Sequence, residues 1–226
     1  MARTKRLQVY ARLLEEAVLP LFHHSDAEVA FQAVKACAEN GLTSFEFTNR
    51  GDHSLATFTE LEKRLSKEIP NVVLGIGSIV DAPTAALFIA SGASFVVSPA
   101  FDEETAILCN KRKVPYFPGC GSVAEIQRAH AHGVEVIKLF PGKEVGGPGF
   151  VKAVIGPMPW TSIMPTGGVE STPESLKEWF GAGVVCVGMG SGLFKADLVK
   201  AKDFSKIGAE VKRIASLVKD IRASLK

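Results

Sequence analysis

No stretch of this 226-residue chain stays apolar for the roughly 18 residues that a membrane-spanning helix needs. Residues 1–16 are basic and then amphipathic, without the apolar core of about 7 to 15 residues that marks a signal peptide. Charge of one sign is also scarce. The 26 Lys+Arg against 24 Asp+Glu leave a formal charge of +2, too little to build a polyanion-binding face. Neither a membrane nor a nucleic acid is expected as a partner. The four cysteines, Cys37, Cys109, Cys120 and Cys186, show no C-x-x-C spacing, and three lie in apolar runs where free thiols pack as small hydrophobes. A reducing, cytoplasmic setting is expected. The histidines form no metal set: His23 and His24 are adjacent, His130 and His132 are two apart on an expected helix, and His53 is isolated.

What the chain has instead is alternation. Short apolar runs at 18–22, 44–48, 72–77, 95–97, 115–117, 134–139, 162–164 and 184–187 predict eight strands, the run at 115–117 being the weakest. Helix starts are marked between them by capping boxes at Ser25 to Glu28 and Ser122 to Glu125, by Asp102, and by Thr172 before Pro173. Gly41, Gly92, Gly133 and Gly181 supply helix stops. A helix at about 4–17 precedes the first strand and a long one at about 203–225 follows the last. Strict β-then-α alternation requires a parallel sheet, and eight such units close into a barrel without leaving edges. One α/β domain over residues 1–226 is expected, a single (β/α)8 TIM barrel with an extra N-terminal helix. A doubly wound open sheet is the main alternative.

In such barrels the reactive groups sit at the C-terminal ends of the strands. In the sixth run, alternation puts Val134, Val136 and Lys138 on one face. If the valines face inward, Lys138 does too. An interior lysine loses hydration, which lowers its pKa and yields an amine able to attack a carbonyl. The competing reading is a lysine that snorkels to solvent. In the second run Glu46 shares a face with Ser44 and Thr48, while Phe45 and Phe47 face the helices. A carboxyl beside that amine can shuttle a proton; a structural ion pair is the plainer explanation. Arg50, just past this strand, offers a planar fork for a carboxylate, although a surface salt bridge explains it almost as well. Two glycine-rich loops, Pro165 to Gly168 and Gly188 to Gly192, follow the last two strands, where barrels often bind phosphate through backbone N–H groups. Tight turns alone would also use glycines there.

The segments Phe45 to Arg50, Gly75 to Ser78, Val97 to Pro99, Phe117 to Cys120, Lys138 to Pro141, Gly146 to Pro148, Pro165 to Gly168 and Gly190 to Ser191 resemble the 2-keto-3-deoxy-6-phosphogluconate (KDPG) aldolase family. That family includes the 4-hydroxy-2-oxoglutarate (KHG) aldolases. The likeness runs from about Leu19 to Phe194, with the motifs in the family's order. It implies Lys138 as a Schiff-base lysine and Glu46 as general acid/base. It implies that Arg50, Ser78, Pro99 and Thr166 hold the pyruvate end of a 2-keto sugar acid, and that Gly167, Gly168, Gly190 and Ser191 hold its phosphate. It further implies a homotrimer without cofactor or metal. The chain departs from the family in having Ser78 where Thr is frequent, and Leu139-Phe-Pro-Gly-Lys143 where Phe-Phe-Pro-Ala-Glu is frequent. Residues 190–192, Gly-Ser-Gly, stand where Gly-Gly-Ser-Trp is frequent. Two other classes stay open on the residues alone. One is a non-covalent sugar-phosphate isomerase or epimerase; the other is a barrel that only binds a phosphorylated acid.

Overall fold

The computed structural model describes residues 3–225. In chain order they form α1 (Arg6–Glu16), β1 (Val18–Phe22), α2 (Ala27–Ala38), β2 (Ser44–Thr48), α3 (Ser54–Glu68), β3 (Val73–Gly77), α4 (Ala82–Ala90), β4 (Val96–Val97), α5 (Glu103–Arg112), β5 (Tyr116–Phe117), β6 (Gly119–Cys120), α6 (Val123–Ala131), β7 (Val136–Leu139), α7 (Gly147–Ile155), β8 (Ser162–Pro165), α8 (Pro173–Gly181), β9 (Val187–Met189), α9 (Ala196–Lys200) and α10 (Phe204–Ser224). Every strand pairing is parallel. Six strands form a sheet in the order β5-β4-β3-β2-β1-β9, and three form a second in the order β6-β7-β8. The result is an α/β fold with a curled parallel sheet.

The division into two sheets has a covalent cause. The fifth apolar run continues past Phe117, but Pro118 has no N–H to donate and interrupts the ladder. Tyr116 and Phe117 pair with β4, whereas Gly119 and Cys120 pair with β7. The Pro118 carbonyl still accepts a bond of 3.0 Å from the Lys138 N–H. The expected strand at 115–117 is β5, and β6 is a further short strand beyond the proline that the expectation did not include. At the other border Thr166 and Gly188 form an isolated parallel bridge.

Most start signals act where they were expected. Asp102 accepts from Thr105 N–H at 2.8 Å, Ser122 from Glu125 N–H at 3.3 Å, and Thr172 from Ser175 N–H at 3.3 Å, each satisfying an otherwise orphaned amide. Two expectations shift. Asp26, not Ser25, caps α2, taking the Glu28 N–H at 2.8 Å, because an ionised carboxylate makes the stronger bond to the dipole end. Gly181 is the last residue of α8, and the left-handed turn falls on Gly183 at φ 101°. Gly41, Gly92 and Gly133 do take positive φ.

Alternation along the strands separates two apolar layers. Phe45, Phe47, Ile137 and Leu139 pack outward against the helices. Leu19, Val73, Phe95, Val97, Phe117, Val136, Met164 and Cys186 meet inside the curl. Each large side chain so buried contributes about 1.5–3 kcal/mol. Val9, Tyr10 and Leu13 of α1 join the inner layer, with the Tyr10 ring edge-on to Phe117 at 5.7 Å. The helix lies across the N-terminal strand ends: Glu16 accepts from the N–H groups of Thr43 and Ser44, both at 2.9 Å. All four cysteines are buried and free. No helix is long and apolar enough to cross a membrane among the described residues.

Candidate active site

β7 places Lys138 by simple alternation. Val136, two residues earlier, belongs to the inner layer, and Ile137 and Leu139 belong to the outer one, so Lys138 must point inward. Only 6% of it is exposed. Val134 does not share that face as expected; it precedes the strand and packs in the outer layer. On β2, Glu46 is flanked by outward Phe45 and Phe47 and is 2% exposed. Among the described residues neither Lys138 nor Glu46 has a side-chain hydrogen bond or an ion pair. The Lys138 Nζ stands 4.6 Å from the centre of the Phe140 ring.

Burial acts on both groups in the direction of neutrality. It pulls the Lys138 ammonium below the ordinary lysine value, with help from the Arg50 charge and opposition from Glu46. It pushes the Glu46 carboxyl up, against the pull of Lys138 and Arg50. Desolvation outweighs mutual attraction for both, as expected where charges are removed from water without a direct partner. Such a pair can supply a nucleophilic amine and a carboxyl that both gives and takes a proton.

The seat of Glu46 is shaped by a missing side chain. Gly77, at the end of β3, lies directly beneath it: a Cβ there would overlap the Glu46 carboxyl and stand 2.8 Å from its Cγ. Gly188 likewise makes room for the Thr166 side chain. Ser78 follows Gly77 in the left-handed region at φ 60° and accepts a 3.3 Å hydrogen bond from Arg50 Nε. Pro99 sits farther round the rim, its carbonyl packed where a side chain on Gly119 would be.

A cavity of about 500 Å³ opens at the C-terminal strand ends, lined by Arg50, Thr166, Gly167, Gly168, Gly190 and Ser191 among others. Six of the ten residues singled out from sequence thus share one wall; Lys138, Glu46, Ser78 and Pro99 do not line it. Thr48 and Phe140, each two positions beyond Glu46 and Lys138 on their segments, do. Gly167 and Gly168 adopt φ of 90° and 72°, and the N–H groups of Gly167, Gly168 and Ser191 donate to no protein group among the described residues. The wall also includes His23, Phe22 and Phe194. Sequence reasoning weighed His23 only as a metal ligand, although it directly follows β1, where the rule of polar residues at strand ends would have found it. A larger cleft, about 1130 Å³, runs along α1 at the opposite strand ends and holds none of the ten. Volume is the poorer guide here, because converging polar and titratable groups mark a site better than size alone. Among the described residues there is no cluster of three potential metal ligands.

A family model described as "KDPG and KHG aldolase" matches residues 9–210. A 2-dehydro-3-deoxy-phosphogluconate aldolase of Pseudomonas aeruginosa is 34% identical over 206 residues, covering 91% of this chain and 90% of that one. A KHG/KDPG aldolase of Escherichia coli is 27% identical over 191 residues, 84% of this chain and 86% of that one. The crystal structure of a KDPG aldolase from Legionella pneumophila, with pyruvate captured as a covalent carbinolamine intermediate, superposes with a TM-score of 0.83. It shares 26% identity and covers 92% of this chain and 98% of its own.

Proposed function

The chain belongs to the KDPG and KHG aldolase family, and on that premise we propose that it cleaves 2-dehydro-3-deoxy-6-phosphogluconate to pyruvate and glyceraldehyde 3-phosphate through a Schiff base on Lys138. The observation that carries this reading is the inward, desolvated Lys138 within electrostatic reach of a desolvated Glu46. The neutral amine adds to the C2 ketone, and protonated Glu46 helps the carbinolamine lose water. The resulting iminium accepts the electron pair of the C3–C4 bond as that bond breaks. Glu46, now ionised, takes the C4 hydroxyl proton, and the aldehyde leaves. The enamine of pyruvate takes that proton back at C3, and water releases pyruvate and frees Lys138.

Arg50, held to Ser78, provides the fork for the substrate carboxylate, with Pro99 and Thr166 shaping that end. The free N–H groups of Gly167, Gly168 and Ser191, with Gly190 opening the turn, cradle the phosphate. No metal or cofactor is invoked in these steps. We also read the chain as one domain whose two sheets join at Pro118 and at the Thr166–Gly188 bridge into a closed eight-stranded barrel. The family resemblance extends this to a cytoplasmic homotrimer. Cleavage of 4-hydroxy-2-oxoglutarate to pyruvate and glyoxylate is a second activity of the same site.

Pyruvate release, followed by coupling to lactate dehydrogenase, tests the reading with either substrate. Release from the phosphorylated acid that disappears in Lys138→Ala is expected. Release from neither substrate refutes it.

A further inference from the structure

We propose that His23 is a specificity-determining residue, whose ring Nε2 accepts a hydrogen bond from a hydroxyl on the aldehyde half of the substrate. The inference rests on the aldolase reading and deepens it at the end of the site remote from Lys138.

The ring is held in one orientation. Its Nδ1 lies 3.0 Å from the Thr48 carbonyl oxygen, and a carbonyl can only accept, so Nδ1 carries the hydrogen. With the hydrogen on Nδ1, Nε2 is the ring position left to accept. The ring packs at a tilt on Phe47, 5.6 Å between centroids and 52° between planes, and Nε2 lies near the turn after Arg50. It would lie 3.7 Å from a Cβ on Gly51, in space kept open because that residue has no side chain. Nε2 has no hydrogen-bond partner among the described residues.

The surroundings make that acceptor unusual. His23 shares the 500 Å³ cavity with Arg50 and with the glycine loops. Arg50 can only donate, and the loops present N–H groups. Such a wall favours carboxylate and phosphate; the side chains on it able to accept from a neutral hydroxyl include the hydroxyls of Thr48, Thr166 and Ser191 and the His23 ring. The Thr48 carbonyl is already taken by the ring itself, and the hydroxyls rotate to donate or accept, whereas Nε2, with the hydrogen on Nδ1, presents its lone pair in one fixed direction. Nε2 is therefore an unpaired acceptor of fixed direction, suited to a polyol chain lying between an anionic head and an anionic tail. A site that pairs a substrate hydroxyl discriminates strongly against an analogue lacking it, because the acceptor is then left unpaired.

The test compares two three-carbon aldehydes, glyceraldehyde and propionaldehyde, as condensation partners of pyruvate. His23→Asn retains the donor to the Thr48 carbonyl and removes the group at the Nε2 position. His23→Gln restores an oxygen acceptor at that reach. In His23→Asn, kcat/KM for glyceraldehyde is expected to fall about 10-fold and that for propionaldehyde less than about 2-fold, with His23→Gln recovering most of the difference. Equal losses for both aldehydes would mean that His23 only props the rim, and no loss for either would mean that it does not touch the substrate. Either overturns the proposal. Borohydride trapping of pyruvate on the native chain separates the two levels. With an adduct present, these outcomes concern His23 alone; with none, the aldolase reading fails and the proposal falls with it.

Discussion

Substituting Gly77 by alanine asks whether one absent methyl group seats the proton-transfer residue. The new Cβ would overlap the Glu46 carboxyl and lie 2.8 Å from its Cγ, so the carboxyl must retreat. Little room is available, since Glu46 is 2% exposed and held on β2, whose residues pair in register with β3 from Ser44↔Val73 to Thr48↔Gly77. In the proposed mechanism Glu46 reaches both the C4 hydroxyl and C3, and a retreat of about 1 Å there costs on the order of 100-fold in rate. Overpacking of the inner face costs a further ~1–3 kcal/mol of stability, at roughly 2–4 °C in Tm per kcal/mol for a chain of this size. Lys138 is on β7, and the three atoms nearest the methyl group all belong to Glu46, so a pyruvate adduct at saturating pyruvate is expected to persist. The assay is pyruvate release under kcat/KM conditions, with adduct formation and thermal melting in parallel. A Gly77→Ala protein that keeps its native kcat/KM and Tm would show that this close approach does not position Glu46.

Three further outcomes follow from the same geometry. The folded state raises the Glu46 pKa, so its proton is bound more tightly than in the unfolded chain, and stability is lost as pH rises through the raised value. Glu46→Gln should therefore melt above the native protein by a margin that widens as pH rises from the ordinary glutamate value toward the raised one, while cleavage falls by about 10²–10⁴. Lys138 is held below the ordinary lysine value of about 10.4, so the acid limb of kcat/KM should lie below that value. Arg50 contributes to that lowering, so in Arg50→Met the limb should move to higher pH, alongside a raised KM for the keto acid. At Gly168 the backbone has φ 72° and a Cβ would overlap that of Lys143. Gly168→Ala should raise KM for the phosphorylated acid about 10-fold with little change in pyruvate adduct formation, checked by steady-state kinetics.

Much of this architecture is legible in the residues because burial and periodicity are coupled. The runs at 18–22 and 44–48 are strands with the expected ends, since a parallel strand covered on both faces is apolar throughout except where chemistry intrudes. Glu46 and Lys138 are those intrusions, and strand alternation was enough to set both on the inner face, apart from the outward Phe45, Phe47, Ile137 and Leu139. What periodicity misses is set by single backbone atoms. Pro118 divides a strand through its missing N–H, and Val134 falls outside β7 although it continues the apolar run. The short helix α9 carries too little pattern to be read. The contribution of Gly77 was hidden for another reason. A glycine's partner across a parallel sheet depends on register, which no local pattern specifies. His23 had a visible signal, a polar residue directly after an apolar strand, but its meaning needs the Thr48 carbonyl that fixes the ring.

Mass spectrometry of the intact protein after incubation with pyruvate and borohydride, comparing the native chain with Lys138→Ala, tests the covalent mechanism most directly. The account predicts one pyruvate-derived adduct on the native chain, mapping to Lys138 and missing from the variant. An unmodified native chain, or an adduct that survives in Lys138→Ala, would contradict it.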